Sequence, residues 1–310
     1  MSIDFKAWDD PTLAETLKRD GVVFIEGVLA PDVVAECRRQ LEIYEREVLP
    51  TIPRSHYDYQ ADGVSLHQYR DVERFSPWFD ELIRQPRILE LVARAVPWDP
   101  MIFYLEVFPK PPGAHGAFPH QDLYTAPVDP PHFLHLWIPL EDVTSENGGI
   151  FFYPGTHKLG LAPHVERPGS APTVHPNVMK QLEPFQVQVS CAAGSAAMFG
   201  GDMVHHSGPN TSDRSRPALV IGLRGKDTVI SDEVEVLTSL IARMYREELG
   251  LPGLDGDQDF RTAGGTDEAA ERILKRLSGD YAVTLPRAEI DAHPTPALLA
   301  ARVLSLRDNR

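Results

Sequence analysis

Cysteine is nearly absent: the 310-residue chain has two, Cys37 and Cys191, with no spacing motif. That excludes a disulfide framework and makes a reducing cytoplasm the expected location. Positive charge is also short. Thirty Lys and Arg against 45 Asp and Glu leave a net charge of −15, which argues against nucleic acid or an anionic membrane as the main partner. A local cationic pocket for an acidic cosubstrate stays open. No apolar run approaches the ~20 residues that a membrane helix needs, and Met1-Ser-Ile-Asp-Phe-Lys6 lacks the basic and apolar segments of a signal peptide. There is no internal repeat or low-complexity tract. What remains is an ordinary soluble composition, long enough for one large domain or for a large and a small one.

The first part of the chain reads as helical. Pro11 to Arg19 predicts a short helix ended by Asp20-Gly21, followed by an apolar strand, Val22–Ile25. Ala30-Pro-Asp32 opens a helix to about Val48, with Val33, Val34, Cys37, Leu41 and Tyr44 at helical spacing. Residues 50–75 read as an irregular loop over a site, and Pro77–Arg84 and Pro86–Ala95 as two more helices. From Met101 short strand-like runs take over: Met101–Phe108, Phe118–Tyr124, Phe133–Leu140, Gly149–Tyr153, Phe185–Cys191, Ala196–Phe199, Met203–His206 and Ala218–Leu223. Strands in that number after a helical start predict a double-sheet jelly roll, a double-stranded β-helix, with helices outside. The proline-rich stretch from Leu159 to about Glu183 reads as an active-site loop or a surface excursion. Past about residue 228 the pattern becomes helical again. Val234, Leu237, Ile241 and Met244 mark one helix, Asp267–Leu277 a second, and Thr295 to about Leu306 a last one. The expected domains are therefore 1–228, mainly β with flanking helices, and 229–310, a small all-α bundle.

The chemistry centres on Phe118-Pro-His-Gln-Asp122. On a strand, His120 and Asp122 point to one face, and with a distant histidine they would make the two-histidine, one-carboxylate set of non-haem Fe(II) oxygenases. Met203-Val-His-His-Ser207 supplies that histidine. His205 and His206 compete for the role, and on a strand only one of them faces the metal. Taken alone, His120 and Asp122 read equally well as a surface hydrogen-bonded pair. His115, His132, His135 and His157 read as packing or loop histidines. Arg216 follows His205 by eleven positions, enough to cross a turn and return on the next strand, and its planar fork suits a carboxylate.

Pro119-His-Gln-Asp122, Leu136-Trp-Ile-Pro-Leu140, Glu146-Asn-Gly-Gly149, Pro154-Gly-Thr-His-Lys158 and His205-x-Ser-x-x-Asn210 with Arg216 occur in that order. Together with Asp20-Gly-Val-Val-Phe-Ile-Glu-Gly-Val-Leu29 they resemble the phytanoyl-CoA dioxygenase family of Fe(II)/2-oxoglutarate enzymes over roughly residues 15–225. The resemblance implies iron held by His120, Asp122 and His205, which selects His205 over His206. It also implies 2-oxoglutarate held by Arg216 with Ser207, and Trp137 packed beside it. Lys110 reads as a further carboxylate partner or a solvated cation. The implied reaction uses O2, converts 2-oxoglutarate to succinate and CO2, and hydroxylates a small-molecule or carrier-tethered substrate of specialised metabolism. Asp122 disfavours the halogenation of related enzymes that lack this carboxylate. Desaturation, ring formation and epimerisation stay open. Two other readings remain: a catalytically silent jelly-roll scaffold, and a zinc hydrolase with the same ligands, which gives Arg216 no task.

The tail resembles something else. Asp259-Phe-Arg-Thr-Ala-Gly-Gly-Thr-Asp267 and Ala292-His-Pro-Thr-Pro296 look like a peptidyl or acyl carrier protein over about residues 232–305. Carriers bear phosphopantetheine on a serine after the Gly-Gly pair, where this chain has Asp267. The resemblance implies a carrier-like domain that cannot carry, used to dock to a biosynthetic assembly line. A plain amphipathic helical cap is the alternative.

Overall fold

The structure, a computed structural model, describes residues 5–308 apart from residues 61, 125–127, 129, 168–169, 229–232, 252, 255 and 281–282. In chain order its first part runs β1 (Phe5–Lys6), α1 (Leu13–Asp20), β2 (Val22–Ile25), α2 (Pro31–Ile43), β3 (Tyr57–Tyr59) and β4 (Leu66–Tyr69). There follow α3 (Val72–Phe75), α4 (Pro77–Ile83), α5 (Pro86–Ala95), β5 (Pro100–Phe108), β6 (Phe133–Pro139), β7 (Ile150–Phe152), β8 (His164–Arg167) and β9 (Ser170–Val174). Then come α6 (Pro176–Leu182), β10 (Val187–Gln188), β11 (Ala196–Gly200), β12 (His205–Ser207) and β13 (Ala218–Gly225). The chain divides into two compact units, residues 1–229 and 230–310. The expected boundary at 228/229 abuts residues 229–232, which lie outside the described residues.

In the first unit an eight-stranded sheet, β1-β2-β11-β6-β13-β5-β4-β3, stands beside a three-stranded one, β10-β7-β12. Strand alternation sorts the apolar side chains of the larger sheet between two cores. Val23, Ile25, Leu134, Leu136, Ile138, Met198, Leu219 and Ile221 pack with helix residues such as Val34, Leu41, Phe79, Ile83, Leu91 and Val92. Val22, Phe24, Trp137, Ala197, Phe199, Ala218 and Val220 instead pack with Ile150 and Phe152 of the smaller sheet. This is a sheet-rich jelly-roll core with helices on one outer face, and the space between the sheets is where a site can be enclosed.

Three expectations need correction. Residues 118–124 do not form a strand. His120 makes one isolated bridge to His205, and Asp122–Tyr124 is a turn of 3₁₀-helix. Pro119 has no N–H to give a ladder, and the Leu123 N–H is drawn to the Gly201 carbonyl, 2.9 Å. Residues 50–75 are not wholly irregular, since β3 and β4 extend the large sheet from β5. The stretch 159–183 holds the β8–β9 hairpin and α6, with Val174, Val178, Met179 and Leu182 packed around Tyr153 and Val204.

The second unit consists of α7 (Glu233–Leu249), α8 (Asp267–Asp280), α9 (Ala288–Ala292) and α10 (Pro296–Asp308), around a core that includes Leu237, Ile241, Tyr245, Phe260, Ile273, Leu277, Leu299 and Val303. The side chain of Val234 lies outside the described residues. Gly264 has φ +90°, and a Cβ on Gly265 would meet the Phe260 ring at 2.3 Å. This turn requires both glycines. Thr266 Oγ1 accepts the Ala269 N–H, 3.3 Å, and caps α8.

Candidate active site

Two backbone devices bring His120, Asp122 and His205 together. The bridge His120 N–H to His205 O, 3.0 Å, and its reciprocal, 3.1 Å, set the two histidines side by side, rings 4.2 Å apart. The 3₁₀ turn then folds Asp122 back beneath them, so the convergence comes from a turn and not from strand alternation. The excursion holds that turn from outside: Thr173 Oγ1 and the Val174 N–H both donate to the Pro119 carbonyl. Gln121 points away from the site and donates to Asp202 O, 2.6 Å, and Gly160 O, 3.1 Å.

Each histidine is oriented by its own backbone. His120 Nδ1 lies 2.7 Å from Phe118 O and His205 Nδ1 3.0 Å from Met203 O. A carbonyl only accepts, so Nδ1 carries the proton and Nε2 is left as the ligand atom. Those Nε2 atoms lie 3.4 and 3.8 Å from Asp122 oxygens. Three such donors within 4.8 Å of one another can grip one ion. Burial opposes ionising Asp122, but the imidazoles of His205, His135 and His120 packed around it, with the hydrogen bond from His135, hold its carboxyl well below the usual range. Burial pushes His205 down to about 3, so it is neutral, as a ligand must be. His206 turns the other way. Its ring stacks on Phe151 at 4.6 Å and its Nδ1 meets the Tyr153 hydroxyl at 3.2 Å.

One cavity of about 160 Å³ is lined by all seven expected residues: Lys110, His120, Asp122, Trp137, His205, Ser207 and Arg216. Arg216 is 2% exposed. Its Nη2 donates to Gly148 O, 2.7 Å, its backbone N–H to Lys110 O, 3.1 Å, and its guanidinium lies 5.2 Å over the Trp137 ring. Its Nη1 is buried with no partner among the described residues, and burial pulls its pKa down to about 10. Lys110 Nζ donates to His115 O and Ser207 Oγ, 2.8 and 3.1 Å. Burial, then the charge of Arg216, draws its pKa down to about 7.

The motif residues that are not ligands have mechanical tasks. Gly148 has φ +77°, and a Cβ there would meet Lys110 Cε at 2.4 Å, so only glycine brings its carbonyl to Arg216. Thr156 Oγ1 accepts the Val204 N–H, 3.1 Å, and fixes the peptide before His205. Asn210 Nδ2 donates to Lys110 O and Arg214 O, both 2.8 Å, closing the turn that returns the chain to Arg216. His132 stacks on Trp98 and His157 meets Lys18 O, so neither is near the cluster. His135 is different: its Nδ1 lies 3.0 Å from Asp122 Oδ2. It shares the sheet face of Trp137 two residues on, the one signal that would have marked it. Tyr104, Glu106 and His67 were likewise missed, and the last two line the cavity.

The sequence model of the phytanoyl-CoA dioxygenase family matches residues 17–218. A phytanoyl-CoA dioxygenase domain-containing protein 1 from Danio rerio is 28% identical over 180 residues, covering 55% of this chain and 59% of that protein. Phytanoyl-CoA dioxygenase 1 from Oryza sativa subsp. japonica is 38% identical over 112 residues, 36% of this chain and 40% of its own length. The chain thus spans between two-fifths and three-fifths of these relatives. The epimerase SnoN, solved with Fe3+, alpha ketoglutarate and nogalamycin RO, shares the fold with a TM-score of 0.60 at 24% identity, over 71% of this chain and 87% of that one.

Proposed function

Because the chain belongs to the phytanoyl-CoA dioxygenase family, we propose that it is an Fe(II)/2-oxoglutarate-dependent dioxygenase, with iron held by His120, Asp122 and His205. The observation that carries the reading is the orphaned Nη1 of Arg216, in the same cavity as the three-donor cluster. A buried guanidinium with an unused N–H is costly unless an acceptor arrives, and a carboxylate is its natural partner. The donor set fits the metal: two imidazoles and one carboxylate leave open positions on Fe(II). Zinc would accept the same donors but would leave Arg216 unexplained.

Bound iron, with 2-oxoglutarate and O2, supplies the oxidising power that hydroxylates a C–H bond while 2-oxoglutarate leaves as succinate and CO2. The chain's residues bind, orient and exclude water. Arg216 clamps the distal carboxylate, Lys110 and Ser207 add donors, and Trp137 forms the wall beside it. Asp122 occupies one ligand position and keeps a halide out of it. Ile150, Phe199 and Val220 keep the cavity dry. His67, Glu106 and Phe108 line the same cavity, as do Ala117, His135 and His206, and the first three are the residues to hold the substrate. His67 comes from the stretch 50–75, whereas among the described residues none of 159–183 lines this cavity. The substrate is a small molecule of specialised metabolism, free or carrier-tethered. The occurrence of the fold in SnoN, from nogalamycin biosynthesis, supports that context. Residues 230–310 are read as a carrier-like docking module, supported by the Gly264-Gly265 turn into α8. No helix among the described residues is long and apolar enough to cross a membrane, and we place the enzyme in the cytoplasm.

The test is anaerobic addition of Fe(II) and 2-oxoglutarate to metal-free protein, following the weak visible band that arises when a 2-oxo acid chelates Fe(II). We expect the band in wild type and its loss in His120→Ala, Asp122→Ala and His205→Ala, with His206→Ala retaining it. Folded wild-type protein without the band would sink the reading.

A further inference from the structure

Asp122 is braced by a residue that is not one of the three donors. His135 Nδ1 lies 3.0 Å from Asp122 Oδ2, and His135 Nε2 lies 2.6 Å from the Tyr104 hydroxyl. An ionised carboxylate only accepts, so Nδ1 bears the ring proton. The bare Nε2 then accepts, and the phenol is the donor. Donation therefore runs one way, from Tyr104 to His135 to Asp122, and satisfies both ring nitrogens of a histidine that is 5% exposed.

Three strands are shaped to hold this line. Gly222 of β13 is paired with His135 on β6 and with Tyr104 on β5. A Cβ on Gly222 would meet the Tyr104 ring at 2.6 Å, so the glycine makes the floor on which the ring lies. The β13–β5 register also slips at this point: Gly222 pairs with Tyr104 but Leu223 with Ile102, leaving Phe103 as the extra residue. Such a bulge re-aims side chains. It lets Ile102 pack with the helix-side core while Tyr104 turns to the site. Phe199, paired with His135 from the other side, closes the ring in at 5.5 Å. A bulge, a glycine and an aromatic neighbour converge on one hydrogen-bonded line ending at the carboxylate.

We infer that His135 and Tyr104 are positioning residues that fix the Asp122 carboxylate for the metal, His135 directly and Tyr104 by fixing the ring of His135. The inference rests on the metal-site reading above. A carboxylate free to rotate about its last torsion presents its oxygens to the ion only part of the time. A donor on Oδ2 removes that freedom, and loss of such outer partners costs about 10–100-fold in metal affinity.

The probe is Co(II) alone, titrated into metal-free protein and read by its visible ligand-field spectrum, so turnover plays no part. His135→Leu keeps the bulk and should weaken Co(II) binding by about 10–100-fold, with altered band positions. His135→Asn, whose amide N–H replaces the Nδ1 donor, should recover most of the affinity and the wild-type spectrum. Tyr104→Phe should show a smaller loss in the same direction. A merely packing role would lower Tm in these variants without moving the spectrum, and would not distinguish Asn from Leu. Folded His135→Leu and Tyr104→Phe with wild-type affinity and spectrum would overturn the inference. If His135→Leu does not fold, Tyr104→Phe and His135→Asn decide it alone. Wild-type protein that binds no Co(II) would overturn the metal site itself, and this inference with it.

Discussion

Arg216 holds its charge while only 2% exposed, beside Lys110, and this makes the pocket electrostatically demanding. Hydrogen bonds to charged groups contribute about 1.5–3 kcal/mol, so Arg216→Ala should weaken 2-oxoglutarate binding by roughly 10- to 100-fold. Thermal shift checks this: 2-oxoglutarate should raise Tm in metal-loaded wild type and not in Arg216→Ala at the same concentration. An equal rise in both would remove Arg216 from the cosubstrate site. Lys110 adds a pH dependence. Its pKa in the free protein falls from 10.5 to about 7, so the stability linked to it is present above the unfolded value and is lost as pH falls through about 7. Binding a dicarboxylate restores the charge, since an anion beside Lys110 favours the ammonium form. Above pH 7 binding therefore takes up a proton, and the dissociation constant for 2-oxoglutarate should rise from pH 7 to 8.5. Lys110→Met should show weaker and flatter binding. A flat wild-type profile would sink the assignment of Lys110.

At the scale of elements, alternation was legible in the sequence because burial on both faces of a sheet leaves a readable trace. Val22–Ile25, Phe133–Pro139 and Ala218–Gly225 divide their apolar residues between two cores as such strands should. Motif order named His120, Asp122, His205 and Arg216, which the fold brings to one cavity. What holds them was not legible. Phe118–Tyr124 reads as a strand by composition, yet Pro119 and the pull of Gly201 O make it a turn, and it is the turn that aims Asp122. Nothing in the local sequence reports a carbonyl eighty residues away. His135 was read as packing because a histidine in an apolar strand usually is; only the three-strand register, with Gly222 between His135 and Tyr104, reveals its partners. The same holds for Thr156, whose hydroxyl serves the peptide before His205. Thr156→Val keeps the shape and leaves the buried Val204 N–H without an acceptor. That should cost about 1–3 kcal/mol, seen as a lower midpoint in urea unfolding with unchanged slope. A midpoint equal to wild type would show that the strand before His205 does not depend on this bond.

For the molecule as a whole, the family match ends at residue 218 and the second compact unit begins at residue 230, so its purpose has to be argued from its own residues. Asp267 opens α8 immediately after the glycine turn. It is ion-paired to Arg261, 2.9 Å, and also to Arg287, and these arginines hold its carboxyl below the usual range, Arg287 first. An aspartate at a helix start, capped by cations, is a self-sufficient structural feature. It is also a side chain that cannot form a phosphodiester. The two interpretations separate on substitution. Exposed ion pairs contribute about 0–1 kcal/mol each, so Asp267→Ser should leave the fold intact by circular dichroism. If the unit has the shape of a carrier, a broad-specificity phosphopantetheinyl transferase should then load Asp267→Ser with the phosphopantetheine of coenzyme A and leave wild type unmodified, as intact-mass spectrometry would show. A folded Asp267→Ser that takes no phosphopantetheine would mean that the Gly-Gly turn resembles a carrier only in sequence, and the docking role drawn from it would fall.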